Sequence, residues 1–124
     1  MIEINELIKY YGEKKAVGPL SFCIEKGEVV GLLGLNAAGK TTTLRMLSSE
    51  LLPTSGRIVI DGVDLLEEPD KVRSRIGYLP DRPPLYGEMR VGEYLAFAAK
   101  LRRMDPGKIT RRVEEVLRIT ALED

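Results

Sequence analysis

The chain has 124 residues, of which 44% are hydrophobic and 31% are charged. These proportions are typical of a globular protein and exclude a chain that is disordered throughout. Nineteen basic residues balance nineteen acidic ones, so no net charge favours binding to nucleic acid or to an anionic membrane surface. No apolar run approaches the roughly 20 residues that a membrane-spanning helix needs. The composition therefore predicts one cytoplasmic domain.

Alternation of apolar and polar residues predicts two half-buried strands at the start of the chain. The apolar members of the two patterns are Ile2, Ile4, Leu7, Leu20, Phe22 and Ile24. A polar stretch over 10–15, which contains Gly12, predicts the turn between the strands. Cys23 is the only cysteine, so it excludes an intramolecular disulfide, and we interpret it as a core residue.

A short apolar run and a helical pattern lie on either side of a glycine-containing loop. The run 29–33 follows a turn at 26–28 and predicts a strand that is buried on both faces of a parallel sheet. After the loop, Leu44, Leu47 and Leu51 recur at helical spacing and predict a helix over 41–50. The turn-forming residues 52–56 are expected to end that helix.

The second half of the chain continues with alternating strand and helix signals. The pattern predicts a strand over 57–62, a helix that begins at Pro69, and strand character over 76–80. Residues 81–84 break the pattern. The chain is predicted to be helical from Val91 onward, and a last helix begins where Asp105 can cap it and Pro106 can take its first position.

The loop from Gly34 to Thr41 matches the phosphate-binding pattern G-x-x-x-x-G-K-[ST] between a predicted strand and a predicted helix. Glycines allow such a loop to curl, so that several backbone N–H groups converge on one anion. Lys40 would contact the β- and γ-phosphates, the Thr41 hydroxyl would ligate Mg²⁺, and Thr42 would reach the α-phosphate. The pattern therefore predicts binding of a nucleoside triphosphate, with ATP and Mg²⁺ as the expected ligands. The loop residues assigned to this site are Asn36, Ala37, Ala38, Gly39, Lys40, Thr41 and Thr42.

Over nearly its whole length the chain resembles the first half of the ATPase subunit of ATP-binding cassette (ABC) transporters. Besides the phosphate loop, the matching features are Tyr11-Gly12, Ala16-Val17, Ser21-Phe22, Lys26-Gly27-Glu28, 52–56 and 76–81. The resemblance implies an α/β P-loop NTPase fold with an antiparallel β-subdomain, the phosphate-loop strand and helix, and the start of a helical subdomain. It divides the chain into 1–82 and 83–124. Within the family, the sequence most resembles ABC-2-type exporters.

The same resemblance assigns roles outside the loop. Tyr11 would stack on adenine, with Val17 also in the ATP site, and a ring platform contributes roughly 1–3 kcal/mol per stacked base. Asp81 stands where the family usually has the Q-loop glutamine, which ligates Mg²⁺ and senses the membrane partner. A carboxylate can ligate magnesium, but Asp81 is shorter and charged, so a turn-forming aspartate is the alternative.

Two departures from the family pattern affect the expected activity. Ala37 replaces a glycine, and if its φ is positive it costs roughly 1–2 kcal/mol and weakens ATP binding. The chain also ends at Asp124, before the family's signature loop, its catalytic glutamate and its switch histidine, and it contains no histidine. We therefore expect a truncated ATPase with no catalytic residue within this chain, and with Asp81 only as the candidate equivalent of the Q-loop glutamine.

The resemblance also implies partners. These are a transmembrane permease and a second nucleotide-binding domain at the inner face of the plasma membrane, with no nucleic acid. Residues 83–86 and the helices after them resemble the region that docks on the permease. An unpaired apolar sheet edge beside the phosphate-loop strand would favour a strand-swapped dimer.

Two alternatives remain open from the sequence. A P-loop kinase or GTPase shares the loop, but no guanine-specific Asn-Lys-x-Asp string is present, and Tyr11 favours adenine. The second alternative is a non-catalytic nucleotide-binding or interaction module, in which this short chain is the natural protein product.

Overall fold

The computed structural model describes residues 1–123 and separates into two compact units. The first unit is Met1–Tyr78, and the second begins at Leu79. The division made from the sequence, between residues 82 and 83, stays a prediction about domain organisation.

The first unit contains a four-stranded antiparallel sheet. Its strands are β1 (Ile2–Tyr11), β2 (Lys14–Ile24), β3 (Ser55–Ile60) and β4 (Val63–Asp64), in the order β2-β1-β3-β4. The strands predicted from the alternating patterns near the N-terminus and from the pattern that starts at Arg57 are therefore confirmed. The turn between β1 and β2 is also where the sequence indicates it.

The core lies on one face of this sheet, under two helices. Ile4 and Leu7 are both at most 1% exposed. They are three residues apart, and both are buried because the pairing of β1 is irregular between them, where Glu6 has φ 47°. Burying a side chain of this size stabilises the fold by about 1.5–3 kcal/mol. The buried apolar residues of the unit are Ile4, Leu7, Val17, Met46, Ile58, Ile60, Leu65 and Val72.

Gly56 allows β1 and β3 to approach each other. It has φ 93°, and an added Cβ would lie 2.4 Å from the carbonyl oxygen of Glu6 and 2.6 Å from the Cα of Leu7. No side chain fits at this position without moving β1. The glycine that closes the turn-forming stretch 52–56 therefore has a packing role as well as a conformational one.

Two helices belong to the first unit: α1 (Lys40–Leu47) and α2 (Pro69–Arg75). The phosphate loop runs directly into α1, as predicted, although the helix ends three residues before residue 50. Its buried face consists of Thr43 and Met46, whereas Leu44 is 46% exposed. Proline occupies the first turn of α2, as predicted.

Three interpretations of the sequence are wrong for this structure. Residues 29–33 form no strand, and Val29 and Leu33 are 100% and 93% exposed. Residues 76–80 also lack strand structure. A strand requires a neighbour that satisfies its N–H and C=O groups, and no described segment pairs with either stretch. Cys23 is exposed, because it lies on the outward face of β2.

The second unit contains α3 (Val91–Leu101) and α4 (Pro106–Thr120), which pack against each other. Asp105 Oδ1 accepts a hydrogen bond from the Gly107 N–H at 3.1 Å, and Pro106 takes the first helical position. Both features of the predicted helix start are confirmed. Within the described part of the chain, no helix is both long enough and apolar enough to cross a bilayer.

Candidate nucleotide-binding site

The phosphate loop packs directly against the backbone of β2. Gly39, the residue before α1, has φ 87°, and a Cβ there would lie 2.4 Å from the Ala16 carbonyl oxygen and 2.8 Å from Val17. Glycine at this position therefore provides both a left-handed conformation and the space for close approach. The contact fixes the position of the loop relative to Ala16 and Val17.

Lys40 folds back over the loop that precedes it. Its Nζ donates hydrogen bonds to the carbonyl oxygens of Gly34 at 2.6 Å and Leu35 at 2.7 Å. An ammonium group has three N–H donors, so one remains for an anion held in the loop. The loop carbonyls therefore orient the charge of Lys40.

The N-terminus of α1 has the features of an anion-binding site. No side chain caps it, and its first turn contains no acidic residue. Among the described residues, none accepts a hydrogen bond from the backbone N–H groups of Lys40, Thr41 and Thr42. These free donors and the helix dipole favour a negative group at this end of the helix. The local structure therefore fits the triphosphate of a nucleotide.

The buried side chain of Thr43 holds the phosphate loop through a hydrogen bond, a role that the sequence analysis did not predict. Its side chain is 3% exposed, and its Oγ1 donates to the Gly39 carbonyl oxygen at 3.0 Å. This hydrogen bond secures the residue at which the loop becomes a helix. A threonine four residues after the last loop glycine was the available signal, because Thr in a helix bonds to the carbonyl at i−4.

A cavity of about 320 Å³ lies where β2, the loop and α1 meet. Of the residues assigned to the site, it brings together Val17, Ala38 and Lys40. The other assigned loop residues and Tyr11 do not line it. The complete lining is Lys15, Ala16, Val17, Gly18, Pro19, Leu20, Leu32, Leu33, Ala38, Lys40 and Thr43.

Tyr11 lies at the end of β1, opposite Lys14 of β2, and is 48% exposed. The ammonium of Lys9 lies 5.6 Å from the centre of its ring and also donates to the Leu52 carbonyl oxygen at 2.7 Å. A cation at this distance is attracted to the ring and holds it in place. Lys9 was missed by the sequence analysis, although residues two apart in a strand lie on the same face.

Ala37 has φ 65°, in the left-handed region. The condition attached to the sequence prediction is therefore met: this position requires a conformation that glycine adopts without strain. Asn36 and Ala37 are both exposed in the loop, and the turn is closed by the Ala38 N–H, which donates to the Leu35 carbonyl oxygen at 3.2 Å.

The two residues assigned to magnesium belong to different units. Thr41 is exposed in the first turn of α1, and Asp81 is exposed in the loop near the start of the second unit. No group of three His, Cys, Asp or Glu residues able to hold a metal occurs among residues 1–123.

Comparison with known proteins identifies the family. The sequence pattern of the ABC transporter family matches residues 17–124. The chain belongs to the ABC transporter family. The ABC transporter ATP-binding protein NatA of Bacillus subtilis (strain 168) is 39% identical to it over 129 residues, which cover 100% of this chain and 52% of NatA. YxlF of the same organism, an uncharacterised ABC transporter ATP-binding protein, is 40% identical, over 100% of this chain and 40% of its own.

Solved ABC transporter structures share the fold. A structure of the ATP-binding subunit of an ABC transporter aligns with a TM-score of 0.83 at 33% identity, over 98% of this chain and 51% of that one. The dimeric bacterial ABC transporter cassette MJ0796 aligns with a TM-score of 0.84 at 25% identity, over 100% and 59%. The ABC chain described here thus spans about half the length of these relatives. Its predicted family and its P-loop NTPase fold are confirmed.

Proposed function

We propose that this chain is the nucleotide-binding part of an ABC transporter ATPase and binds ATP through the loop that precedes α1. The observation that carries the proposal is the geometry of Lys40, which is held by two loop carbonyls beside three free N–H groups of α1. A cation and a helix N-terminus at one point attract a polyanion such as a triphosphate. The resemblance to the family selects ATP among such ligands.

The residues around the loop have distinct roles in this proposal. Lys40 neutralises charge on the β- and γ-phosphates, and Thr42 reaches the α-phosphate. Val17 and Tyr11 hold the adenine, with the ring of Tyr11 as a stacking platform. A bound Mg²⁺ would neutralise charge on the phosphate oxygens, with the Thr41 hydroxyl as a protein ligand. The remaining loop residues, Asn36, Ala37, Ala38 and Gly39, direct backbone N–H groups toward the phosphates.

Hydrolysis and transport belong to the whole protein in this proposal. A water nucleophile must be oriented and the transferring phosphoryl group stabilised, and this takes more groups than the cradle around Lys40. We propose that the whole protein works with a second nucleotide-binding domain and a transmembrane permease at the cytoplasmic face of a membrane. Asp81 would report the state of the nucleotide to that permease.

The exposed run 29–33 is the proposed place for strand addition. Its apolar side chains lie in solvent, and its backbone pairs with no described strand, so another segment would gain both contacts by pairing there. We expect this chain to form strand-exchanged dimers. Gel filtration with light scattering tests this point, and a monomer at high concentration would contradict it.

The proposed nucleotide site is tested by titrating a fluorescent ATP analogue into the wild-type chain and Lys40→Ala, with and without Mg²⁺. Loss of a charged hydrogen-bond donor costs about 1.5–3 kcal/mol, so we expect binding to weaken by about ten- to a hundredfold. Lys26→Ala is the matched control, because it removes one charge from an exposed turn. Equal affinity of Lys40→Ala and Lys26→Ala would contradict the role of Lys40.

A further inference from the structure

Basic residues are concentrated where α3 ends and α4 begins. Residues 100–112 contain six basic side chains and one acidic side chain, Asp105, whereas the rest of the chain is net acidic. The zero net charge of the whole chain therefore hides a strong local asymmetry. We call the six the α3–α4 basic surface, and all of them are exposed: Lys100, Arg102, Arg103, Lys108, Arg111 and Arg112.

Three of these cations surround one concavity on the second unit. The concavity has a volume of about 430 Å³ and is lined by Met104, Gly107, Lys108, Arg111, Arg112 and Glu115. Arg112 forms an ion pair with Glu115 at 2.8 Å. Lys108 and Arg111 form no ion pair or hydrogen bond through their side chains with any residue of the described chain. Two positive charges at this surface are therefore available to a ligand.

Apolar side chains lie beside the basic ones. Leu101, at the end of α3, is 68% exposed, and Ile119, in the last turn of α4, is 73% exposed. Ile119 follows Glu115 by four residues and Arg112 by seven, so it lies on the same stripe of the helix. Cations with neighbouring exposed aliphatic side chains are the combination found on surfaces that rest on a lipid interface.

We infer that the α3–α4 basic surface binds the surface of an anionic lipid bilayer, with Leu101 and Ile119 entering the headgroup region. The inference rests on the proposed function only in that an ABC transporter ATPase works beside a membrane. Charge complementarity favours this ligand, since phosphate-bearing headgroups attract each nearby Lys or Arg. A nucleic acid fits less well, because residues 98–124 contain no aromatic side chain on which a base could stack.

The test is sedimentation of the full chain with vesicles. Binding should be strong to phosphatidylcholine vesicles in which phosphatidylglycerol replaces about a third of the lipid, and weak to phosphatidylcholine alone. It should also fall as salt is added. Lys108→Gln/Arg111→Gln should bind the anionic vesicles about 25-fold more weakly, at about fivefold for each charge removed. Neither side chain forms an ion pair or a hydrogen bond in the described structure, so the fold should be unaffected, as circular dichroism would verify.

A matched variant controls for net charge. Lys26→Gln/Lys71→Gln removes two charges from exposed positions of the first unit and should bind anionic vesicles like the wild type. Equal losses in the two double variants would overturn the inference, and so would equal binding to both kinds of vesicle. Tighter, patch-dependent binding to a single-stranded oligonucleotide would overturn it in favour of nucleic acid.

Nucleotide and lipid binding are separable in this design. Lys40→Ala should keep full vesicle binding, whereas Lys108→Gln/Arg111→Gln should keep the wild-type affinity for the ATP analogue. Failure of the nucleotide titration with vesicle binding intact would therefore leave the lipid surface standing. Ile119→Ser should weaken vesicle binding severalfold, which a purely electrostatic contact would not show.

Discussion

The two units of the chain differ in how far they bury their own apolar residues. The first, Met1–Tyr78, contains eight buried apolar side chains, whereas Ile109 is the only one among the described residues of the second. Helix α3 is apolar along most of its length, yet none of its residues is buried. A sheet covered by helices closes a core, but two helices alone leave most of their surface in solvent. The stability of the first unit is therefore largely its own, and the second relies on few internal contacts.

The largest expected effect is a direct test of this difference. Leu7→Ala empties a site of 0% exposure and should lower the free energy of unfolding by about 2–5 kcal/mol. Leu101→Ala makes the same chemical change where the side chain is 68% exposed, and it should change stability by less than about 0.5 kcal/mol. Urea unfolding followed by circular dichroism measures both. Similar losses of stability in the two variants would contradict the difference in burial between the two units.

A smaller effect is expected from the hydrogen bonds that Asp64 of β4 accepts. Asp64 accepts hydrogen bonds from Arg57 Nε at 2.6 Å and the Leu66 N–H at 2.8 Å, and the bond from Arg57 lowers the pKa of its carboxyl. Since the folded pKa lies below the unfolded one, this stabilisation is complete at neutral pH and is lost as the pH falls through the folded pKa. Asp64→Asn should cost about 1–2 kcal/mol at pH 7 and remove part of the acid dependence.

Thermal unfolding over a range of pH values checks the role of Asp64. Glu67→Gln is the matched control, because Glu67 is exposed in the same turn. Identical pH profiles for wild type and Asp64→Asn would show that the carboxylate contributes nothing to the pH dependence of stability.

The third prediction concerns backbone strain at Ala37 in the phosphate loop. Ala37→Gly removes a Cβ from a residue with φ 65° and should raise the free energy of unfolding by about 1 kcal/mol. ATP should bind at least as tightly as in the wild type. Ala38→Gly, the neighbouring change, has no such strain to relieve and should destabilise or leave stability unchanged. Equal gains from the two glycines would exclude strain at Ala37 as the cause.

The smallest expected effect concerns Tyr11, the proposed adenine platform. Lys9→Met removes the cation 5.6 Å from the Tyr11 ring and its bond to Leu52, and should weaken ATP analogue binding by about two- to fivefold. Lys9→Arg should retain most of the affinity, since a guanidinium also stacks on aromatic rings. In Tyr11→Ala the Lys9 substitution should have no further effect on binding. An additional loss there would show that Lys9 acts independently of Tyr11.

The elements that could be predicted are those whose signal is local. The alternation of Ile2 and Ile4, the cap at Asp105 and the glycines at 34 and 39 each specify nearby backbone, so β1, α4 and the phosphate loop follow from short stretches of sequence. The run 29–33 was misassigned because an apolar pentapeptide indicates burial without indicating a partner. The 46% exposure of Leu44 was not predicted for a similar reason, since helical spacing does not show which face of the helix is covered.

The sequence by itself determined the family and the phosphate loop, and it predicted the roles of Lys40, Thr41 and the α1 N-terminus, because these depend on residue type and spacing along the chain. The tertiary structure decided which residues meet at the loop. It packs Gly39 against Ala16, places Thr43 beneath the Gly39 carbonyl, and brings Lys9 to the ring of Tyr11. Such contacts join separate elements, and their distances depend on how the strands pair and how the helix packs, which no local pattern encodes.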